Sequence, residues 1–410
     1  MKLITCLVCL SMTLGCGSSD GTGTSDAGTA ALDATPTTDA AVQMPRPDAV
    51  VGLALQVVPG VLTYAATHQG STHIFTTERD GSNKVRLTQR GSHWSFHAVS
   101  PNRRYLAMVS HAETTETGTP DINSPGTVWI LDVRTGDEYA LTPADCDAGI
   151  GGISWLGDAF VTFAMSCNGE VSKAYLAAFD DKSRDASLML AYAEHMFPVR
   201  GVSGANHTSR ATYVVDQERC VDGVCVGKPQ IWVADTETMQ KCQVTDADRE
   251  FLDTSGHGSA VPRVGDHSPV FTAQLRGIMF SRNVRDKDPG PTGHHDIMRV
   301  GLNMGALESN EFRCELPGTE ANLSDEILAD DAVSVGVDGT YLNELYPQPT
   351  IGGDMTNLQE ILFVGREAPD NVSRVYLADM TGGKRVLSLE DEWVVYARWI
   401  SSDLALTGER

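Results

Sequence analysis

His73–His111 reads HIFTTERDGSNKVRLTQRGSHWSFHAVSPNRRYLAMVSH, and its punctuation decides the fold. The apolar start Ile74-Phe75 runs to a turn at Asp80-Gly81, and a second short segment closes on Leu87-Thr88. A further segment reaches Val99, stops at Ser100-Pro101-Asn102 and gives way to Tyr105–Ser110. Asp-Gly and Pro-Asn supply the backbone conformations that reverse a chain within a few residues. Short runs rich in β-branched and aromatic residues between such signals predict strands. The stretch therefore holds two strand pairs, each joined by a tight turn.

Both pairs recur. The first returns as Trp129-Ile130-Leu131-Asp132…Gly136…Leu141-Thr142, as Trp232-Val233-Ala234-Asp235…Val244-Thr245 and as Tyr376-Leu377-Ala378-Asp379…Leu387-Ser388, with weaker copies from Tyr175 and Ile297. The second returns as Ile153 to Phe163 around Gly157-Asp158 and as Pro269 to Ser281 around Arg276-Gly277. Fused, the two halves make a four-stranded antiparallel unit of roughly 50 to 70 residues, the size and strand count of a propeller blade. The expected fold is all-β, a six-bladed β-propeller, with blades at 53–89, 93–143, 150–191, 198–246, 267–316 and 346–389. The terminal piece Tyr396 to Thr407 repeats the first-half pattern and is expected to pair with the first blade, closing the ring and removing a free sheet edge.

The run His73–His111 resembles the TolB-type propeller repeat, in which a strand with Asp-Gly and Leu-Thr leads into a Trp-Ser-Pro-Asp-Gly turn. Here that turn is Ser100-Pro101-Asn102-Arg103, so its Asp is Asn and its Gly is lost. The resemblance extends over about residues 60 to 400 and implies a propeller. The extra N-terminal α/β domain of the periplasmic family member has no counterpart, so that protein's envelope role does not carry over.

The first fifty residues read differently. Lys2, the apolar run Leu3–Leu14 and the small residue Gly15 before Cys16 describe a signal peptide. The run is too short for a spanning helix, which needs about 20 apolar residues. Thr13-Leu14-Gly15-Cys16 resembles the bacterial lipoprotein cleavage box, which implies that Cys16 becomes the lipid-bearing N-terminus; in the alternative, an ordinary secretory peptide, Cys16 is incidental. Gly17 after the cysteine resembles lipoproteins sent to the outer membrane. Residues 16–50, built from Gly, Ser, Thr, Ala, Asp and Pro, cannot bury enough apolar surface to offset chain entropy and read as a disordered tether. The expected organisation is a signal peptide over 1–15, a lipidated tether over 16–50 and the propeller over 51–410.

A net charge of −23, from 54 acidic against 31 basic residues, repels phosphate backbones and argues against nucleic acid as a partner. Beyond Cys16 the body carries six cysteines, an even number that suits an oxidising compartment. With strands labelled A to D from centre to rim, A–B and C–D turns lie on one face and B–C and D–A connections on the other. The long stretches 111–126, 247–266, 283–295, 317–345 and 365–372 fall on B–C or D–A connections, which marks that face for binding. Loops that lengthen neutrally are the other explanation. Cys146 and Cys167 map to this face and are expected to pair. Cys220 and Cys225 flank Val221-Asp222-Gly223-Val224, a type I′ hairpin turn that sets them opposite each other at disulfide distance. Cys242 and Cys314 read as equivalent positions on outer strands of neighbouring blades, pointing the same way round the ring, and no bond between them is expected.

Catalytic motifs are missing. Gly201-Val202-Ser203-Gly204 is one residue short of a nucleophile elbow, and no His-Glu-x-x-His, phosphate loop or paired Cys-x-x-Cys occurs. His111, His195, His257, His267, His294 and His295, with Asp266, Asp286, Asp288 and Asp296, map to connections of the inserted face. His257, His267, His294 and His295 are the candidate ligands for a divalent metal, although loop histidines are ordinarily just solvated. The acidic stretch Asp325 to Asp338 lacks the spacing of a calcium loop. The reading is an envelope lipoprotein that binds a protein or glycan through its loop-rich face, without a cofactor and touching the membrane only through its lipid. The alternative is a metal-dependent, lyase-like propeller enzyme acting on an envelope or extracellular polysaccharide.

Overall fold

A computed structural model of the chain describes residues 55–400, apart from 69, 90, 116–117, 122–123, 180–188, 205–208, 222–223, 246–264, 273–276, 285–293, 303–319, 323–341, 350–359, 368–371, 380–383 and 388–392. Every regular element among the described residues is a β-strand, and the strands fall into six antiparallel four-stranded sheets. The first holds β1 (Leu62–His68), β2 (Ser71–Thr77) and β3 (Val85–Arg86). The second holds β4 (Trp94–Val99), β5 (Tyr105–His111), β6 (Gly126–Asp132) and β7 (Asp137–Ala140). The third is β8 (Cys146–Leu156), β9 (Phe160–Cys167), β10 (Lys173–Ala178) and β11 (Met189–Ala193). The fourth is β12 (Val199–Gly204), β13 (Arg210–Val221), β14 (Val224–Asp235) and β15 (Lys241–Gln243). The fifth is β16 (Gly265–Phe271), β17 (Gly277–Val284), β18 (His294–Gly301) and β19 (Glu320–Asn322). The sixth is β20 (Leu342–Pro349), β21 (Glu360–Glu367), β22 (Ser373–Asp379) and β23 (Lys384–Val386). The last strand, β24 (Trp393–Trp399), returns to the first sheet and pairs with β1, Leu62 opposite Trp399.

The chain is thus a propeller of four-stranded antiparallel blades. The innermost strands β24, β4, β8, β12, β16 and β20 pack side by side in that order, and β20 meets β24 again. Apolar side chains fill the wedges between successive sheets rather than one central core. Between the second and third sheets lie Phe96, Tyr105 and Val109 against Trp155, Val161 and Phe163. Between the fourth and fifth lie Ile231 and Val233 against Ile278 and Phe280, and between the sixth and first Leu362 and Val364 against Leu62 and Tyr64. Because both faces of a blade are covered, strands such as β4 are buried throughout instead of alternating. Each large side chain so buried contributes about 1.5–3 kcal/mol.

The repeat has a hydrogen-bonding cause. Thr88 Oγ1 accepts from the Ile74 N–H at 3.1 Å, Thr142 from Val128 at 2.8 Å and Thr245 from Ile231 at 3.0 Å, so in three copies the Thr of the Leu-Thr signature satisfies the strand fourteen residues earlier. The strand-ending aspartates cap the next turn: Asp132 Oδ1 accepts from Arg134 N, and Asp235 Oδ1 from Glu237 N and Thr238 N. They also hold an arginine where the neighbouring strand begins, Arg104 just before β5 on Asp132 at 3.0 Å and Arg210 of β13 on Asp235. In the Ser-Pro-Asn turn, Tyr105 N donates to Ser100 Oγ and Arg104 N to Asn102 Oδ1. Arg103 adopts φ 59°, the left-handed conformation for which the family repeat uses Gly.

Three expectations are corrected. The long connections are not confined to one face: β10 ends at Ala178 and β11 begins at Met189, and β18 ends at Gly301 and β19 begins at Glu320, both C–D links. The A–B link from Pro349 to Glu360 is long as well. The fifth sheet also runs past 316, because its outer strand is Glu320–Asn322; Cys314 lies outside the described residues. Third, the closing strand occupies Trp393–Trp399 rather than Tyr396–Thr407, of which 401–407 lie outside the described residues.

Candidate functional site

The innermost strands share an irregularity near their start. Register slips between Trp94 and His97 in β4, Ala148 and Ile153 in β8, Arg200 and Ser203 in β12, His267 and Val270 in β16, and Leu345 and Gln348 in β20. A bulge twists a strand and re-aims the residues beside it. The last paired residues before the slip, Arg200 and His267, therefore occupy equivalent places on adjacent innermost strands. Glycine makes this possible in β8: a Cβ on Gly152, at φ 98°, would collide with the Val202 carbonyl of β12.

Arg200 and His267 meet at this mouth. Arg200 Nη2 lies 2.7 Å from Asp216 Oδ1 on β13 and 3.4 Å from His267 Nδ1. The His267 and His295 ring centroids are 5.9 Å apart. Behind them, buried Arg282 grips Asp266 with two hydrogen bonds of 2.7 and 3.0 Å and reaches Glu320 at 2.6 Å. Burial holds His267 well below the ordinary histidine range, and Arg200 and His295 push the same way. Burial raises the Asp216 carboxyl, which Arg200 partly offsets. His267 is thus a neutral ring whose Nδ1 accepts from a guanidinium and whose Nε2 carries the proton. Such a ring beside a fixed positive charge suits hydrogen bonding to a neutral or acidic ligand group better than a divalent cation.

Of the candidate metal ligands, His267 and His295 come together, His294 opens β18, and His257 lies outside the described residues. Among the described residues no group of three or more His, Cys, Asp or Glu side chains is placed to hold a metal. The other histidines are strand-bound or packed rather than convergent. His111 ends β5 with Nε2 2.7 Å from Ser95 Oγ, and His195 sits 3.0 Å from Tyr213 Oη against Trp232. Asp266 is consumed by Arg282, Asp296 is buried, and Asp286, Asp288 and the acidic stretch Asp325 to Asp338 lie outside the described residues.

Cys146 and Cys167 form a disulfide, opposite one another at the start of β8 and the end of β9 on this same face. Cys220 and Cys225 are register partners in the β13–β14 hairpin. Cys242 is also disulfide-bonded. Cys16 lies outside the described residues.

Sequence reading missed Arg200 and Asp216, and also Arg398 of β24. Arg398 donates to the Ile153 carbonyl and to Ser154 Oγ of β8, each at 2.7 Å, past the intervening β4. Its one signal was a charge at an alternating position of an otherwise apolar strand, Trp393-Val394-Val395-Tyr396-Ala397-Arg398-Trp399.

No family model and no curated protein sequence matches the chain. Among solved structures, TolB from Acinetobacter baumannii superposes with a TM-score of 0.51 at 14% identity, over 84% of this chain and 67% of that one. The fold is that of a TolB-like β-propeller. A putative TolB from Agrobacterium tumefaciens matches at 15% identity and a TM-score of 0.47, over 83% of this chain and 98% of that one. At these identities the TolB-like likeness is one of fold, as the His73–His111 repeat implied.

Proposed function

We propose that the chain is an exported lipoprotein whose six-bladed propeller binds a protein or glycan of the cell envelope through the face bearing its B–C and D–A connections. The observation that carries this reading is the β13–β14 hairpin. β12 accompanies it only as far as Val215 and β15 only as far as Trp232. Asp216 N still donates to the Pro198 carbonyl, and the pairs from Gln217–Lys228 to Val221–Val224 run on beyond both neighbours as a two-stranded arm. Such a ribbon is marginally stable alone and offers unpaired backbone edges, the groups by which sheets accept partners. Cys220 and Cys225, opposite each other near its tip, are a natural staple in an oxidising compartment. The arm rises beside Arg200, Asp216 and His267, so a polar mouth and a projecting edge share one face.

The rest follows from the N-terminus. Residues 1–15 export the chain, Cys16 carries the lipid, and residues 16–50 hold the propeller off an outer-membrane leaflet. The lyase-like alternative rests on His267 and His295, and the guanidinium of Arg200 beside them opposes it. A photo-reactive residue in place of Asp222, in the sequence between the paired Val221 and Val224, should crosslink to an envelope protein or glycan in intact cells. The same residue in place of exposed Thr135, in a C–D turn on the opposite face, should not. Adducts from Thr135 alone, or from neither site, refute the proposal. Cys16→Ser should release the protein from the membrane fraction; unchanged membrane association refutes the anchor.

A further inference from the structure

The two edges of the β13–β14 arm are not alike. Asp216 N donates to the Pro198 carbonyl, so Asp216 and every second residue after it turn their backbone groups to the inner edge, on the line of β12. Glu218 and Cys220 of β13 therefore present N–H and C=O groups there, and among the described residues no strand pairs with them on that side. On the outer edge, Ile231 N donates to the Thr245 hydroxyl and the Ile231 carbonyl accepts from Val244 N. The same alternation puts Pro229 on this outer edge. Proline has no N–H to give, which guards a sheet edge against added strands. The foot of the outer edge is closed to pairing, whereas the inner edge keeps its donors.

The chain itself leaves that inner edge. Before Pro198 it lies toward the rim, where the Glu194 carbonyl accepts from Lys241 of β15 and the His195 ring packs on Trp232 of β14. On the opposite side Pro229 rests against the start of β16, and Gly265 makes the room: a Cβ there would lie 2.6 Å from Pro229 Cδ. A strand laid antiparallel on β13 beyond Pro198 runs in the direction of β12, so its last residue arrives at Pro198. Arg200 stands at this point. Its guanidinium reaches Asp216, the last residue of β13 bonded on that side, and at 24% side-chain exposure it is open to a ligand. Nη2 serves Asp216 and His267, and Nε makes no hydrogen bond. Asp216 opposes a second carboxylate, but it occupies one nitrogen and leaves the rest of the fork unspent. A polypeptide terminus ends in a carboxylate, the planar acceptor that such a fork matches.

We propose, resting on the reading of the arm given above, that the inner edge of β13 accepts the C-terminal segment of a partner polypeptide as an added antiparallel strand, with its terminal carboxylate at Arg200. Backbone pairing with Glu218 and Cys220 supplies the hold, and Arg200 sets direction and register. The partner is thereby narrowed to a protein with a free, extended C-terminus.

Random peptides displayed with a free C-terminus, selected on the exported protein, supply the probe. Selection should enrich binders, and amidating the terminus of a synthetic copy should weaken binding about tenfold or more. In Arg200→Gln the acid and the amide should bind nearly alike, because the group that tells them apart is gone. Amide hydrogen exchange should slow in the complex at Glu218 and Cys220 and stay unchanged at Cys225 and Gly227 on the outer edge. No enrichment, or equal affinity of acid and amide for the wild type, overturns the proposal. So does an undiminished loss on amidation in Arg200→Gln, or protection at Cys225 and Gly227 instead. Should that variant fail to fold, the exchange map and the amidation result on the wild type decide. A crosslink from position 222 to glycan alone sinks this inference and leaves envelope binding standing; no crosslink sinks both.

Discussion

Acid should loosen the propeller through His97. This residue of β4 is fully buried, its ring 5.2 Å from that of Tyr396 on the closing strand and nearly perpendicular to it, and its Nδ1 3.2 Å from the Ser95 carbonyl. Burial drives its pKa from 6.5 to about 4, the Arg398 charge adds to the fall, and the carbonyls of Ser95 and Thr63 oppose it. Above the unfolded value both states are neutral and His97 contributes its full share. Between that value and about pH 4, the unfolded chain takes up a proton that the folded chain refuses. Stability then falls by about 1.4 kcal/mol per pH unit, which makes about 2 kcal/mol at about pH 5 and about 3 kcal/mol at about pH 4. His267, His111 and His195 are lowered as well and steepen the wild-type profile. His97→Asn retains a donor for the Ser95 carbonyl but has no proton to gain, so the difference between the two proteins isolates His97. Urea unfolding followed by tryptophan fluorescence at about pH 7.5 and pH 5 should show the wild type losing about 2 kcal/mol more than the variant. Equal losses would show that the folded state tolerates a charged imidazole at this position and would refute the argument.

Two further perturbations probe the closure and the inner ring. Arg398→Ala removes both hydrogen bonds to β8 and should cost about 3 kcal/mol in thermal or urea unfolding. Arg398→Lys should recover little of it, because an ammonium cannot make the two-pronged reach; full recovery would mean that charge alone matters. Gly152→Ala, at φ 98° and with a Cβ 2.7 Å from Val202 N, should cost about 3 kcal/mol or more. Gly157→Ala, at φ 64° with open space around it, should cost only about 1 kcal/mol. Equal losses at the two glycines would refute the claim that β8 and β12 touch backbone to backbone.

The strands were legible because turn residues and apolar runs are local signals, and because the Leu-Thr and Asp positions each satisfy a backbone group within about fourteen residues. β19 was not: Glu320-Ala321-Asn322 has no apolar alternation, so nothing local marks the outer strand of the fifth sheet. The pairing of Cys146 with Cys167 follows from adjacent strand ends and could be read. The mouth could not, because Arg200 and His267 are 67 residues apart on different sheets and nothing local ties them. A bulge in every innermost strand from β4 to β20 leaves no shared residue type, only a shared interruption of pairing.

The strand that completes the first sheet is the last of the described strands in chain order. Thr63 waits for Arg398, 335 positions later, before its hydroxyl finds that carbonyl, and until then β1 presents a bare edge. Contacts of such separation form slowly, and the exposed ribbon is open to foreign strands in the meantime. Synthesis therefore delivers an unsealed ring, and a shortened product lacking Trp393–Trp399 would keep the β1 edge permanently unpaired.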